Sequence, residues 1–173
     1  MSNASAARLP DPLLSNAPLG EVSKSGDNWQ VVFHRQLKAP IEKVWAALTV
    51  QERLADWFAS DGVDLRVGGV IKLGWTDVTI TICEPPHSLA WTWELDGRET
   101  LVRFDLVPDA GGTQLTLTHS GLKLGGTNSP GVRSGWHAHL EGLPAAIEGH
   151  KTPWEVKQAR EDAIKASYPK LTA

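Results

Sequence analysis

Apolar positions recur at two periods along this chain, and the change from one to the other separates a sheet from its cover. Between Trp29 and Lys38, the residues Val31, Phe33 and Leu37 recur at period two, as on one face of a strand. Ala39-Pro40 ends that strand, since proline lacks the N–H a ladder needs while its fixed φ suits a first helical turn. Ile41, Val44, Trp45 and Leu48 then fall at i, i+3, i+4 and i+7, the stripe of a short helix. Asp56-Trp57-Phe58 closes a second short helical turn with two large rings that need something to pack on.

Alternation resumes after Phe58. Asp61-Gly62 and Gly68-Gly69 bracket a short strand at Val63–Val67, and Val70–Trp75 follows with Ile71, Leu73 and Trp75 on one face. In Val78–Cys83 the apolar face is Val78, Ile80 and Ile82, which places Cys83 on the other. Pro85-Pro86 forces a break before Ser88–Leu95, where Leu89, Trp91, Trp93 and Leu95 align. Beyond the Asp96-Gly97 turn, Glu99–Val107 offers two faces. Val102, Phe104 and Leu106 are uniformly apolar and are assigned inward, leaving Arg103 and Asp105 to solvent. A hairpin loop at 108–112 leads to Thr113–His119, with Leu115, Leu117 and His119 in register. Ser120–Gly131 holds four glycines and a proline and reads as a loop.

The helical period returns only near the end. Trp136, His139, Leu140, Leu143 and Ile147 share a face from Gly135 to Ile147, with Glu141 and Glu148 opposite. Pro144 is expected to kink this helix and Gly149 to stop it. Thr152-Pro153-Trp154-Glu155 opens another helix, with a capping residue and an acid in the first turn, that reaches Ser167. Residues 1–27 show no sustained period and read as a tail, leaving a domain at 28–150 and an added helix at 151–173.

Composition narrows the function classes. A net charge of −3 gives a nucleic-acid partner no electrostatic support. A single cysteine excludes an internal disulfide framework and a Cys-based zinc site. No apolar run reaches the roughly 20 residues of a membrane helix, and the N-terminus lacks a basic region with an apolar core, so a cytoplasmic protein is expected. Eight tryptophans against one tyrosine and three phenylalanines are unusual, and suggest a wide interior to fill or a pocket to line.

Five separated motifs then resemble, in order, the AHSA1-like group of the SRPBCC, or START-like, superfamily. They are QLKAPIEKVWAALTVQERLADWF from Gln36 to Phe58, Gly68-Gly69 before a strand, and Glu84-Pro85-Pro86 before the tryptophan-rich strand. The others are GTQLTLTHSG from Gly112 to Gly121, and Gly135-Trp136 opening the long helix. The resemblance covers residues 29–149. It implies an α+β helix-grip fold of the START and Bet v 1 kind: an antiparallel sheet of six to seven strands wrapped around a long C-terminal helix, with two short helices after the first strand. It also implies a cavity between sheet and helix. Three functions follow from it: a non-catalytic binder of a hydrophobic or aromatic small molecule, a stress-response co-chaperone acting on an Hsp90-type chaperone, or a polyketide cyclase or aromatase-like enzyme.

The candidate chemistry lies on the inward faces. His137 and His139 are two apart on a helix, roughly 200° around it, and cannot share an ion. With no clustered carboxylates beside them, no metal, cofactor or catalytic residue is assigned. His119 and His139 face inward, either as core histidines bonded to backbone, Thr118 or Ser120, or as polar groups presented to a ligand. As an acid or base, neither has an orienting partner in sequence. Trp75, Trp91, Trp93 and Trp136 are core or cavity wall. The expected ligand-binding set is Trp57, Trp75, Trp91, Trp93, Phe104, His119, Trp136, His139, Leu140 and Leu143. The added C-terminal helix could cap the cavity, shield a sheet edge or pair with a second subunit in a homodimer.

Overall fold

Residues 17–171 are described in the structure, a computed structural model of the chain; the first part of the expected tail, residues 1–16, lies outside them. One antiparallel sheet carries the whole fold. Its strands are β1 (Glu21–Ser25), β2 (Asn28–Leu37), β3 (Gly62–Val63), β4 (Val70–Lys72), β5 (Asp77–Glu84), β6 (Ser88–Leu95), β7 (Arg98–Asp109) and β8 (Gly112–Lys123). They lie in the order β1-β2-β8-β7-β6-β5-β4-β3, so the chain's excursion from β2 to β3 carries it from one side of the sheet to the other. That excursion is made by α1 (Ile41–Thr49) and α2 (Gln51–Trp57). The cover is α3 (Gly131–Glu141), α4 (Leu143–Ile147) and α5 (Trp154–Lys165). This is the expected α+β helix-grip architecture, with eight strands in place of six to seven. Among the described residues no helix is long and apolar enough to cross a membrane.

The inward faces follow the alternation closely in β2, β7 and β8. Val31, Phe33 and Leu37, then Val102, Phe104 and Leu106, then Leu115, Leu117 and His119 are all buried. The Asp96-Gly97 turn closes β6 onto β7 with both residues at positive φ, 53° and 73°, the backbone that a tight hairpin between right-twisted strands demands.

The departures have local causes. Glu21–Ser25 was expected in a tail but pairs with β2 as an edge strand; its side chains are nearly all exposed, so it carries no apolar alternation to read. β8 runs to Lys123 instead of stopping at His119, and Leu122 is buried. From Trp29↔Leu122 to Val31↔His119, three steps along β8 oppose two along β2, and Gly121 at φ 77° absorbs the bulge. A second bulge lies in β5, where Ile80 and Ile82 oppose the adjacent residues Trp91 and Ala90. It shifts the pleat by one residue, so Cys83 pairs with inward-facing Leu89 and packs against the core, contrary to its expected outward face.

The expected strand Val63–Val67 shrinks to Gly62–Val63, leaving Leu65 and Val67 exposed, and β4 ends at Lys72, before Trp75. The expected long helix begins earlier, at Gly131, and is interrupted at Gly142; Pro144 sits in the first turn of α4, where its missing N–H breaks no helical bond. Glu141, expected outward, has only 5% of its side chain exposed because Arg160 of α5 grips both its oxygens, at 2.7 and 2.8 Å. Thr152 makes no side-chain cap for α5, which ends at Lys165.

Candidate functional site

The site is built on the end of α2. A helix leaves its last carbonyls without internal partners, and three of these are taken up by groups that follow the sheet. The Thr152 N–H donates to Asp56 O at 3.0 Å, His139 Nδ1 to Trp57 O at 3.1 Å, and Lys157 Nζ to Phe58 O at 3.1 Å. The C-terminal segment is therefore bonded to α2, and α5 is part of the wall of the site.

Held in this way, Phe58 becomes the centre of a ring cluster. It stacks on Trp136 at 4.9 Å between centroids and on Trp91 at 6.3 Å, and meets His139, Trp93 and Trp75 edge-on at 5.0, 6.1 and 6.3 Å. Offset-stacked and edge-to-face pairs at such separations are the arrangements that ring quadrupoles favour. Trp57 and Phe104 meet edge-on at 6.2 Å behind this layer, and the Trp57 indole N–H donates to Ala47 O. The space expected to be a hollow between sheet and helix is thus occupied here by the rings themselves. Trp57, Trp91, Phe104, Leu140 and Leu143 are buried in the core. The Trp91 indole N–H finds no acceptor there, so its ring is used for area and not for its polar edge.

His119 lies at the inner end of the cluster, wholly buried under Trp93, whose ring stacks on it at 5.7 Å. Trp136 Nε1–H donates to His119 Nδ1 at 3.0 Å, which leaves the imidazole proton on Nε2. Nε2–H then donates to Thr100 Oγ1 at 2.8 Å, and the Thr100 hydroxyl donates to Trp93 O at 2.6 Å. Each group in the relay is satisfied. Burial pushes the His119 pKa down to about 3, so the ring stays neutral. Sequence left open Thr118 or Ser120 as partners; Thr100, on the neighbouring strand, takes that place.

His139 is also neutral, for related reasons. Burial, aided by the nearby Lys157 ammonium and opposed by the bond to Trp57 O, lowers its pKa to about 4. Here the donor nitrogen is Nδ1, and Nε2 keeps an accepting lone pair that bonds to none of the described residues.

That nitrogen belongs to a residue lining an open cleft of about 270 Å³, together with Phe58, Trp75, Trp93, Leu95, Val132, Trp136, Trp154 and Glu161. Trp75 is 58% exposed and Trp154 56%, so both flank the cleft with uncovered indole surface. Burial raises the Glu161 carboxyl above its ordinary range. The floor is fixed from the sheet side. Asp96, in the β6–β7 turn, accepts from Asn128 N, Ser129 N and Ser129 Oγ, tying the hairpin to the loop before α3. Burial works against its ionisation, but the bonds from Ser129 and Asn128 hold it down to about 2.

Of the ten residues expected to line a site, Trp75, Trp93, Trp136 and His139 come together at this cleft, His119 sits one layer behind it, and the other five are core. Sequence reasoning placed Phe58 near a cavity mouth but missed Leu95, Val132, Trp154 and Glu161. Phe58 and Trp154 were visible as large apolar residues, but no period placed α5 against α2.

A model of the family described as Activator of Hsp90 ATPase homolog 1-like protein matches residues 38–148. No curated protein matches the chain. Among solved structures, CalU16 from Micromonospora echinospora is 28% identical, with a TM-score of 0.66, over 85% of this chain and 96% of its own. MLL2253 from Mesorhizobium loti is 28% identical, with a TM-score of 0.60, over 69% of this chain and 96% of its own. EF2215 from Enterococcus faecalis, described as a conserved protein of unknown function, has a TM-score of 0.67 over 91% and 97%; at 20% identity it shows the fold alone.

Proposed function

The chain belongs to the Activator of Hsp90 ATPase homolog 1-like family, and from that premise we propose that it is a non-catalytic binding domain for a flat apolar small molecule. The ligand sits in the cleft between Trp75, Trp93, Trp136 and Trp154. The observation that carries this reading is the meeting, in one cleft, of uncovered indole surface with an accepting imidazole nitrogen that has no partner. Apolar walls supply affinity and a single placed polar atom supplies orientation, the usual division of labour in a small-molecule site. His139 Nε2 therefore selects a ligand with an N–H or O–H donor.

Acid–base chemistry is the weaker reading. His119 has both nitrogens engaged, and His139 lies well below neutral pH and has no hydrogen bond to Glu161, the carboxyl in the same cleft. A chaperone partner rests on the family's description alone, and no feature of the cleft selects it.

The test is a titration of the full chain with N-phenyl-1-naphthylamine, a neutral aromatic probe with one N–H. Saturable quenching of tryptophan emission is expected, weakened by about fivefold in Trp75→Ala for the loss of one aromatic contact. Absence of saturable quenching, or equal affinity in Trp75→Ala, would remove the cleft as the site. Stimulation of an Hsp90 ATPase without any probe binding would favour the co-chaperone instead.

A further inference from the structure

The opposite flank of α3 is polar, and one of its groups is left over. His137, Glu141 and Arg133 lie there at intervals of four along the helix, facing β2 and the segment after α5. Tyr168 OH accepts from Gly20 N at 2.9 Å and is hydrogen-bonded to His137 Nδ1 at 2.8 Å. Glu141 is gripped by Arg160, as described above. Arg133 is different. It is 3% exposed, its guanidinium lies over the rings of Tyr168 and Trp29 at 5.2 and 6.0 Å, and it makes no hydrogen bond to any described residue. Its Nε is buried without an acceptor, and so is Nη2 of Arg35 nearby. Arg160 pairs with Glu141 and Arg35 lies within reach of that carboxylate's charge, whereas Arg133 has only the Trp29 and Tyr168 rings and the Tyr168 hydroxyl beside it among the described residues.

An arginine keeps its charge in a protein, and a buried charge without a counter-charge is costly. Arg133 also lines a cleft of about 670 Å³ at the start of α3, with Ser134, Asn128, Lys165 and Lys170 among the other walls. Both lysines are exposed, and the charge of Lys165 acts on the Glu161 carboxyl one turn before it on α5. The first turn of a helix adds its own positive end.

We propose that this cleft is an anion site, in which the Arg133 guanidinium, aided by Lys165 and Lys170, takes the carboxylate or phosphate group of a small organic anion. The planar fork of Arg133 matches two oxygens of such a group, and the rings of Trp29 and Tyr168 hold the fork in place. The site is separate from the aromatic cleft, although the two meet across Asn128 and Gly131.

The experiment is a thermal-shift and calorimetric titration of the full chain with inorganic phosphate and, separately, benzoate, with ionic strength held constant by sodium chloride. At least one probe should raise Tm saturably. Arg133→Met should abolish the response. Should that variant fail to fold, the double change Lys165→Ala with Lys170→Ala touches only exposed side chains and should weaken the probe by about tenfold. Binding of N-phenyl-1-naphthylamine should be unaltered by either change, which keeps this site's fate distinct from that of the aromatic cleft. A Tm insensitive to both probes, or an equal response in wild type and Arg133→Met, would overturn the proposal. A response to benzoate alone supports a carboxylate ligand, and one to phosphate alone a phosphorylated one.

Discussion

His119 and His139 are the same residue in the same ring cluster, and their surroundings give them opposite capacities. Both are neutral, held down by burial to about 3 and about 4. His119 spends both nitrogens inside the fold, accepting from Trp136 and donating to Thr100. His139 spends only one, on the exposed end of α2. A buried polar group with full partners specifies a core; one with a spare lone pair at a cleft can specify a ligand. The difference lies in what the neighbouring element needed. β7 offered a hydroxyl to His119, whereas α2 offered a carbonyl, which can take only a donor.

The largest effect that tests this contrast is acid sensitivity. For His119, His137 and His139 the folded-state pKa is depressed below the ordinary 6.5, so the unfolded chain binds protons first as pH falls. Their contribution is whole above about pH 6.5 and is lost as pH drops towards the folded values, by up to about 1.4 kcal/mol per pH unit for each ring. Urea unfolding should therefore show a loss on the order of 6 kcal/mol from pH 7.5 to 5. In an NMR titration His139 should protonate before His119, because Nε2 is free to accept while His119 must first give up the Trp136 bond. The reverse order would break the comparison.

Next in size is Trp136→Ala. It removes the ring stacked on Phe58 and leaves His119 Nδ1 without a donor, and should cost about 3–5 kcal/mol in urea unfolding. Trp75→Ala, at an exposed position, should fall within about 0.5 kcal/mol of wild type. Equal losses would mean that filled interior and open cleft are not distinct regions. The smallest effect concerns orientation. Wild type should prefer N-phenyl-1-naphthylamine to 1-phenylnaphthalene, which lacks the N–H, by about tenfold, and His139→Leu should lose that preference. An unchanged ratio would detach His139 from ligand choice.

Much of the fold was legible because a period of two is a local property. Val31, Phe33 and Leu37, or Val102, Phe104 and Leu106, declare their face within a few residues. The edge strand Glu21–Ser25 did not declare itself because it buries almost nothing, and Cys83 was misassigned because a bulge shifts the pleat without any mark in composition. The site was half legible. Trp75, Trp93, Trp136 and His139 could be named from their faces, but whether rings line a space or fill it depends on how closely α3 approaches the sheet. That distance is set by packing between segments far apart in the chain.

The sequence by itself determined the alternating strands, the turn at Asp96-Gly97, the two short helices after β2 and the family to which they belong, since each is fixed by neighbours a few residues away. Tertiary structure alone decided that Phe58 stacks on Trp136, that Thr100 takes the proton of His119, that Lys157 and His139 cap α2, and that Arg133 Nε is buried without an acceptor. These depend on which donor meets which acceptor once distant elements are pressed together, and no period in the sequence records that meeting.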